Sequence, residues 1–283
     1  MPAQTGVLQF AATTKAQWEV PVATIGGLPI AVIDRAQSAE LMVDVALAHR
    51  GQMQRPLVFT SANGQVLSMC ARDRRLRELF LATDLIHADG MPMVFVSRLF
   101  NATPLPERVA TTDLFHDVAE VAQQRGASMF LLGATKASMN KAAQRVCALY
   151  PQLEIAGFSS GYLRRDGDEE RIIAEINERR PDILWLGLGA PAEQHFAVRN
   201  RDRLKGVGLI KTSGGLFDFV SGKNARAPAW MQRAGLEWVY RIYQEPRRLA
   251  GRYLLTNPHA ILLLLTRTER GEAAALPRSF SAS

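Results

Sequence analysis

Two cysteines, Cys70 and Cys147, are all that the 283 residues contain. They are too few for a disulfide framework or for a zinc site built from cysteines, so a reducing, cytoplasmic compartment is expected. Long apolar runs are lacking too. Spanning a bilayer takes about 18 such residues, and the longest candidate, 260–265, soon meets Arg267. The N-terminus has no basic start followed by an apolar stretch, so no secretory signal is expected. There is no Gly-x-x-x-x-Gly-Lys-Ser/Thr loop, no Gly-x-Gly-x-x-Gly after the first apolar run and no Gly-x-Ser-x-Gly elbow. The five histidines (His49, His87, His116, His195 and His259) show no ligand spacing. The one Asp-x-Asp, Asp166-Gly167-Asp168, runs into Glu169-Glu170-Arg171 and reads as a solvated helix start. No metal and no other cofactor is expected.

What is present is globular. Hydrophobic residues make up 47% and charged residues 22%, and the length allows one large domain or two modest ones. Such a chain buries about 70–75% of its unfolded surface, enough for a core without staples. The net charge is +7 and uneven: from Arg226 onward there are nine arginines, no lysine and four glutamates. A basic surface suits nucleic acid, an anionic membrane or a phosphorylated substrate; a solvated basic helix gives the same count.

Short apolar runs at 28–33, 57–60, 85–88, 128–132, 153–156, 183–188 and 207–210 alternate with stretches of helical spacing such as 39–50, 112–125, 137–150 and 169–180. That rhythm predicts an α/β fold, a Rossmann-like, mostly parallel sheet with helices on both faces. Residues 1–27 read as an irregular lead-in, 28–222 as the α/β core, 223–270 as a basic, aromatic helical appendage and 271–283 as a disordered tail. Within the appendage, helices are expected at 231–243 and 247–255, then a break at Asn257-Pro258 and a last helix near 259–266. Its aromatics (Trp230, Trp238, Tyr240, Tyr243 and Tyr253) interleave with Arg241, Arg247, Arg248 and Arg252. Rings at headgroup level and guanidinium groups on phosphates make an interfacial segment; a helical hairpin packing its rings on the core is the alternative.

Ligands of parallel sheets bind beyond the carboxyl ends of the strands, so the residues directly after each run are the site candidates. Ser61-Ala62-Asn63-Gly64 could bind sugar or phosphate, or form an Asn-Gly turn. Asp89-Gly90-Met91-Pro92 offers a general base beside a glycine that admits substrate, or a helix N-cap. Gly189-Ala190-Pro191-Ala192-Glu193-Gln194 is a strand-to-helix junction, where free backbone N–H groups favour an anion. Thr212-Ser213-Gly214-Gly215-Leu216-Phe217-Asp218 is a small-residue loop suited to a diphosphate. The residues by themselves thus point to an α/β enzyme for an anionic, nucleotide-linked substrate.

The order of several segments resembles the WecG/TagA/CpsF family of bacterial glycosyltransferases over roughly residues 28–256. They are Pro181-Asp182-Ile183-Leu184-Trp185-Leu186-Gly187-Leu188-Gly189-Ala190-Pro191, Gly214-Gly215-Leu216-Phe217-Asp218-Phe219-Val220-Ser221-Gly222, Arg226-Ala227-Pro228-Ala229-Trp230-Met231, Gly235-Leu236-Glu237-Trp238-Val239-Tyr240-Arg241, Glu245-Pro246-Arg247-Arg248 and Arg252-Tyr253. Ala88-Asp89-Gly90, Glu107-Arg108-Val109 and Tyr150-Pro151 with Gly157 and Gly161-Tyr162 fit as well. The resemblance implies inverting transfer of a sugar from a UDP-sugar to an undecaprenyl-diphosphate-linked sugar, by an enzyme peripheral on the inner face of the plasma membrane. It implies Asp89 as general base, Thr60 and Asn63 in the active site, Arg108 toward a diphosphate, and Arg241, Arg247, Arg248 and Arg252 toward diphosphate or membrane. Glu193, Gln194, Gly214, Gly215 and Asp218 complete the expected substrate contacts. Two departures stand out. The family pattern Pro-Lys-Gln-Glu reads Pro191-Ala192-Glu193-Gln194 here, and Thr111 stands where a glycine is usual. The sugar stays open among N-acetylmannosamine, its uronic acid and glucose. Nucleic acid is not an expected partner, and self-association is left open. A non-catalytic nucleotide-sugar-binding or membrane-docked assembly protein is the alternative.

Overall fold

Residues 18–52, 54–163, 166–271 and 274–275 are described by a computed structural model. Six of the apolar runs become β3 (Leu57–Ala62), β4 (Leu85–Ala88), β5 (Ser128–Gly133), β6 (Glu154–Ser160), β7 (Ile183–Gly187) and β8 (Leu209–Thr212). They form one parallel sheet in the order β4-β3-β8-β7-β5-β6. β4, β5, β7 and β8 are buried along their whole length, which is why they read as apolar runs and not as alternations.

The run at 28–33 goes elsewhere. β2 (Leu28–Ala31) pairs antiparallel with β1 (Pro21–Ile25), joined at Gly26 and Gly27. Both glycines have positive φ, 61° and 86°, as a two-residue hairpin turn requires. Residues 21–25, read as irregular from sequence, are therefore strand: Ala23 and Ile25 face in and their neighbours face out. Ala274–Ala275 adds a short third strand, β9, to β1. The remainder of the tail read as disordered, from residue 276, lies outside the described residues.

Side-chain caps start several helices. In α1 (Arg35–Ala48), Asp34 and Gln37 form a reciprocal capping box. Asn63, Asp73 and Thr135 cap α2 (Gly64–Arg72), α3 (Arg74–Leu81) and α6 (Lys136–Leu149). α5 (Thr111–Arg125) ends on Gly126 at φ 66°, the left-handed stop that glycine serves best. With α6 and α1, α5 covers one face of the sheet around Trp185 and Phe115, whose rings meet edge-on at 5.0 Å. α7 (Asp168–Arg179) and α8 (Ala192–Asn200) cover the other. The amino ends of the strands are tied by two ion pairs, the second fully buried. Asp182 accepts two bonds from Arg50 and two from Ser128, and Arg201 pairs with Asp84.

A third cluster packs the hairpin, α2, α3 and α4 (Met91–Phe100) with Leu263 and Leu264. Those leucines come from α12 (Pro246–Thr266), which follows α9 (Leu216–Val220), α10 (Ala229–Arg233) and α11 (Glu237–Gln244). The break expected at Asn257-Pro258 does not occur; α12 runs through Pro258. Packing against α2 outweighs proline's helix penalty. Ala260 closes on the bare backbone of Gly64, Ser68 Oγ lies 2.9 Å from His259 Nδ1, and Leu249, Thr256, Ala260, Leu263 and Leu264 are buried. Proline's missing N–H leaves the Leu254 carbonyl without its usual donor, at a residue that is solvent-exposed.

An interior proline costs about 3 kcal/mol relative to alanine in a continuous helix. Pro258→Ala, at an exposed position, is therefore expected to raise Tm by several degrees in a calorimetric scan. A helix truly broken there would gain nothing.

Candidate active site

The carboxyl ends of all six parallel strands open into one cavity of about 750 Å³, whose outer wall comes from α11 and α12. Asp89 follows β4 at its base, half-buried. The carboxylate does not cap α4; that helix starts on Gly90 without a side-chain cap. Instead Asp89 Oδ2 accepts from Thr111 Oγ1 at 3.1 Å. Burial pushes the Asp89 carboxyl above its ordinary range, with Glu237 adding to the push, while Arg108, Lys211 and the Thr111 bond pull it down. Asn63 lines the cavity and caps α2, so its neighbour Gly64 begins a helix and not a turn.

Lys211, on β8, was not among the sequence candidates. It is fully buried and donates to Ser61 Oγ at 2.8 Å and to the Thr212 carbonyl at 3.1 Å. Burial pulls its ammonium down to about 8, against the attraction of Asp89 and Glu193. Beside it, His87 is buried with neither ring nitrogen hydrogen-bonded among the described residues. Burial first, then the Lys211 charge, holds His87 well below the usual histidine range, so it stays neutral. The available signal was a lone lysine ending an apolar run.

The departure at Ala192-Glu193-Gln194 is built into the floor. Glu193 Oε2 accepts the backbone N–H of Gly214 at 2.8 Å and of Gly189 at 3.2 Å. Gly189 and Gly214, at φ 81° and 59°, adopt the left-handed conformations that turn these amides inward. Burial raises the Glu193 carboxyl, opposed by those amides and Lys211. Gln194 Nε2 donates to Thr60 Oγ1 at 3.0 Å, and Thr60 and Thr212 share a 2.8 Å hydroxyl bond. Thr60 is thus fully buried beneath Gln194 and does not line the cavity. Gln194 Oε1 is buried without a partner among the described residues.

Arg108 borders the cavity, but its guanidinium is engaged by the appendage: Nη1 donates to Glu237 at 2.8 Å and Nη2 to Gln232 at 3.2 Å. Arg226 joins the same cluster, bonding Asp113 at 2.9 Å and Gln232 at 2.6 Å, with Nε 3.6 Å from Glu237. Arg241, Arg248 and Arg252 line the outer wall, as does Asp218 beneath them, paired with Lys223 at 3.2 Å. Arg241 lies over the Phe219 ring, Arg248 reaches Glu245 at 2.5 Å, and Arg252 Nε is buried with no partner among the described residues. Arg247 is exposed and outside the cavity. Gly214 and Gly215 form the rim after β8. Among the described residues no three His, Cys, Asp or Glu side chains are grouped to hold a metal ion.

The model of the Glycosyl transferase WecG/TagA/CpsF family matches residues 23–273. Over 221 residues the chain is 30% identical to the N-acetylglucosaminyldiphosphoundecaprenol N-acetyl-beta-D-mannosaminyltransferase of Bacillus subtilis (strain 168), covering 78% of this chain and 83% of that protein. It is similar to the enzyme of the same name from Bacillus spizizenii, at 32% identity with 75% and 80% covered. The Staphylococcus aureus (strain MW2) enzyme of that name is 23% identical, with 76% and 83% covered.

Glu237 holds two arginines at once, so Glu237→Gln is expected to loosen the wall selectively. Amide exchange in α10 and α11 should rise about tenfold, the equivalent of ~1.4 kcal/mol, with β5, β7 and β8 unchanged. Unchanged exchange in α11 would show that the cluster does not hold the appendage.

Proposed function

Because the chain belongs to the WecG/TagA/CpsF glycosyl transferase family, we propose that this glycosyltransferase moves a sugar from a UDP-sugar onto a sugar carried by undecaprenyl diphosphate, with inversion at the anomeric carbon. The observation that carries the reading is Asp89. It is a carboxylate at the base of the strand-end cavity that caps no helix and holds no salt bridge among the described residues. Asp89 takes the proton of the acceptor hydroxyl as that oxygen bonds to the anomeric carbon. The bond from that carbon to the diphosphate breaks, and its electron pair leaves with UDP. Arg241, Arg248 and Arg252 supply positive charge where the leaving group develops its own. Gln194 Oε1, without a partner among the described residues, suits a donor hydroxyl. The names of the 30–32% identical relatives support N-acetylmannosamine as the sugar and N-acetylglucosamine diphosphoundecaprenol as the acceptor.

UDP release from a panel of UDP-sugars, with and without that acceptor, tests the reading. UDP-N-acetylmannosamine should be turned over only with acceptor, and turnover should persist in EDTA. Losing a general base costs about 10²–10⁴-fold, so Asp89→Asn should fold normally and lose activity on that scale. Near-parental turnover in the variant would remove Asp89 from the mechanism.

An undecaprenyl acceptor stays in its bilayer, and among the described residues no helix is long and apolar enough to cross one. The protein therefore reaches its acceptor from the surface, on the face that carries the appendage. Leu254, Ile261, Leu262 and Leu265 form an exposed stripe on α12, 74%, 54%, 56% and 55% accessible, at the spacing of one helix face. Trp230, Tyr243 and Arg247 are exposed nearby in sequence. Each arginine near an anionic surface adds about 1 kcal/mol before screening. Deleting the appendage would also strip Leu263 and Leu264 from the core, so substitutions are the cleaner probe. The chain should sediment with anionic vesicles in a salt-sensitive way, and Leu254→Glu with Leu262→Glu should weaken this more than tenfold. A double variant that sediments like its parent would clear this stripe of a membrane role.

A further inference from the structure

A continuous hydrogen-bond chain links the buried lysine to the proposed base. Lys211 Nζ donates to Ser61 Oγ at 2.8 Å. Ser61 Oγ lies 3.1 Å from Thr111 Oγ1, and Thr111 Oγ1 lies 3.1 Å from Asp89 Oδ2. The four side chains come from β8, β3, α5 and the end of β4. The direction of the chain is fixed by its two ends. An ammonium has three donors and no acceptor, so Ser61 accepts from Lys211; at the other end an ionised carboxylate only accepts, so Thr111 gives its one proton to Asp89 and takes the Ser61 proton in turn. Every link points at the carboxylate, and Asp89 Oδ1 is left without a partner among the described residues.

Nothing in the fold calls for a lysine here. β8 is a central strand, paired at Lys211 with Phe59 of β3 and Trp185 of β7, where a β-branched apolar residue fits. Burying an ammonium is costly unless it is paired. Here the compensation comes from two acceptors and from the nearby Asp89 and Glu193 charges. Thr111, the third link, stands where the family resemblance expects glycine, which has no hydroxyl to offer.

We propose that Lys211 is a positioning residue for glycosyl transfer: through Ser61 and Thr111 it orients a donor chain onto Asp89 Oδ2, holding that carboxyl ionised and its second oxygen available to the acceptor hydroxyl. The proposal rests on the reading of Asp89 as base. Four groups act on Asp89 from its surroundings besides burial. Arg108, before α5, Lys211 on β8 and the Thr111 hydroxyl favour the carboxylate, and Glu237 on α11 opposes it. Lys211 itself faces Asp89, Glu193 and the neutral His87. Removing Thr111's hydroxyl or Lys211's charge leaves burial and Glu237 less opposed. The Asp89 carboxyl then rises, and the acid limb of the rate moves to higher pH.

The test is the pH dependence of kcat for the parent, Thr111→Val, Thr111→Ser, Lys211→Met and Asp89→Asn, each checked for folding by its Tm. The acid limb should move up by about one unit in both Thr111→Val and Lys211→Met, so that at the parent's midpoint they retain about a fifth of its rate or less. Their alkaline plateaus should stay within a few-fold of the parent, and Thr111→Ser should restore the parent limb. The carboxyl infrared band lost in Asp89→Asn should titrate upward in step, a readout independent of turnover. Parental acid limbs in both Thr111→Val and Lys211→Met overturn the proposal while leaving the base intact. A shift in Lys211→Met alone overturns the chain as the route. If Lys211→Met fails to fold, Ser61→Ala, which cuts the chain between Lys211 and Thr111, decides: its acid limb should rise as in Thr111→Val, and a parental limb overturns the proposal. Activity in Asp89→Asn overturns the base reading itself.

Discussion

Glu237 sits between two guanidinium groups, Arg108 at 2.8 Å and Arg226 at 3.6 Å, and both arginines also approach Asp113. These contacts join parts of the chain that no local interaction could bring together: Arg108 and Glu237 are 129 residues apart in sequence. They act together with the packing of α12 on α2. With them α11 and α12 stand over the rim and the cavity has a second wall. Partly buried ion pairs of this kind contribute modestly to net stability, but breaking one leaves its partner's charge uncompensated. The cluster is thus better suited to fixing where the wall stands than to holding the whole protein together.

The two ends of the sheet are finished in opposite ways. At the amino ends Asp182 and Asp84 are each closed by arginine and backbone or hydroxyl donors. For Asp182, the bonds from Arg50 and Ser128 outweigh burial and hold the carboxyl below its ordinary range. At the carboxyl ends Asp89 is raised and one of its oxygens has no donor among the described residues. The same residue type is saturated where it staples strands and left under-satisfied where the cavity opens, and such contrasts mark sites more often than they mark scaffolding.

The parallel sheet was legible because buried strands write themselves as apolar runs, and the place of Asp89 at the cavity was legible because it follows one of them. The hairpin strand β1 was hidden: Pro21 opens it and its alternation spans five residues. Helix α12 was misread at Pro258 because the local proline signal is real and only the tertiary contact with α2 overrules it. Lys211 was passed over because one charge at the end of an apolar stretch looks like the strand's boundary. Its position inside the sheet is visible only once Phe59 and Trp185 lie on either side. The role of Thr60 is likewise a matter of depth, since nothing in sequence tells a residue lining a cavity from one holding the layer behind it.

Helix α12 serves two masters along its length. One side supplies Leu263 and Leu264 to the same cluster that holds the amino-terminal hairpin, and the other presents leucines and an isoleucine to the outside. Substitutions on the inner side are felt in the core, whereas those on the outer side change only exposed surface. The segment is therefore no cassette to be exchanged whole among relatives: a transplanted helix has to keep the recipient's inner pattern, whatever its outer face carries.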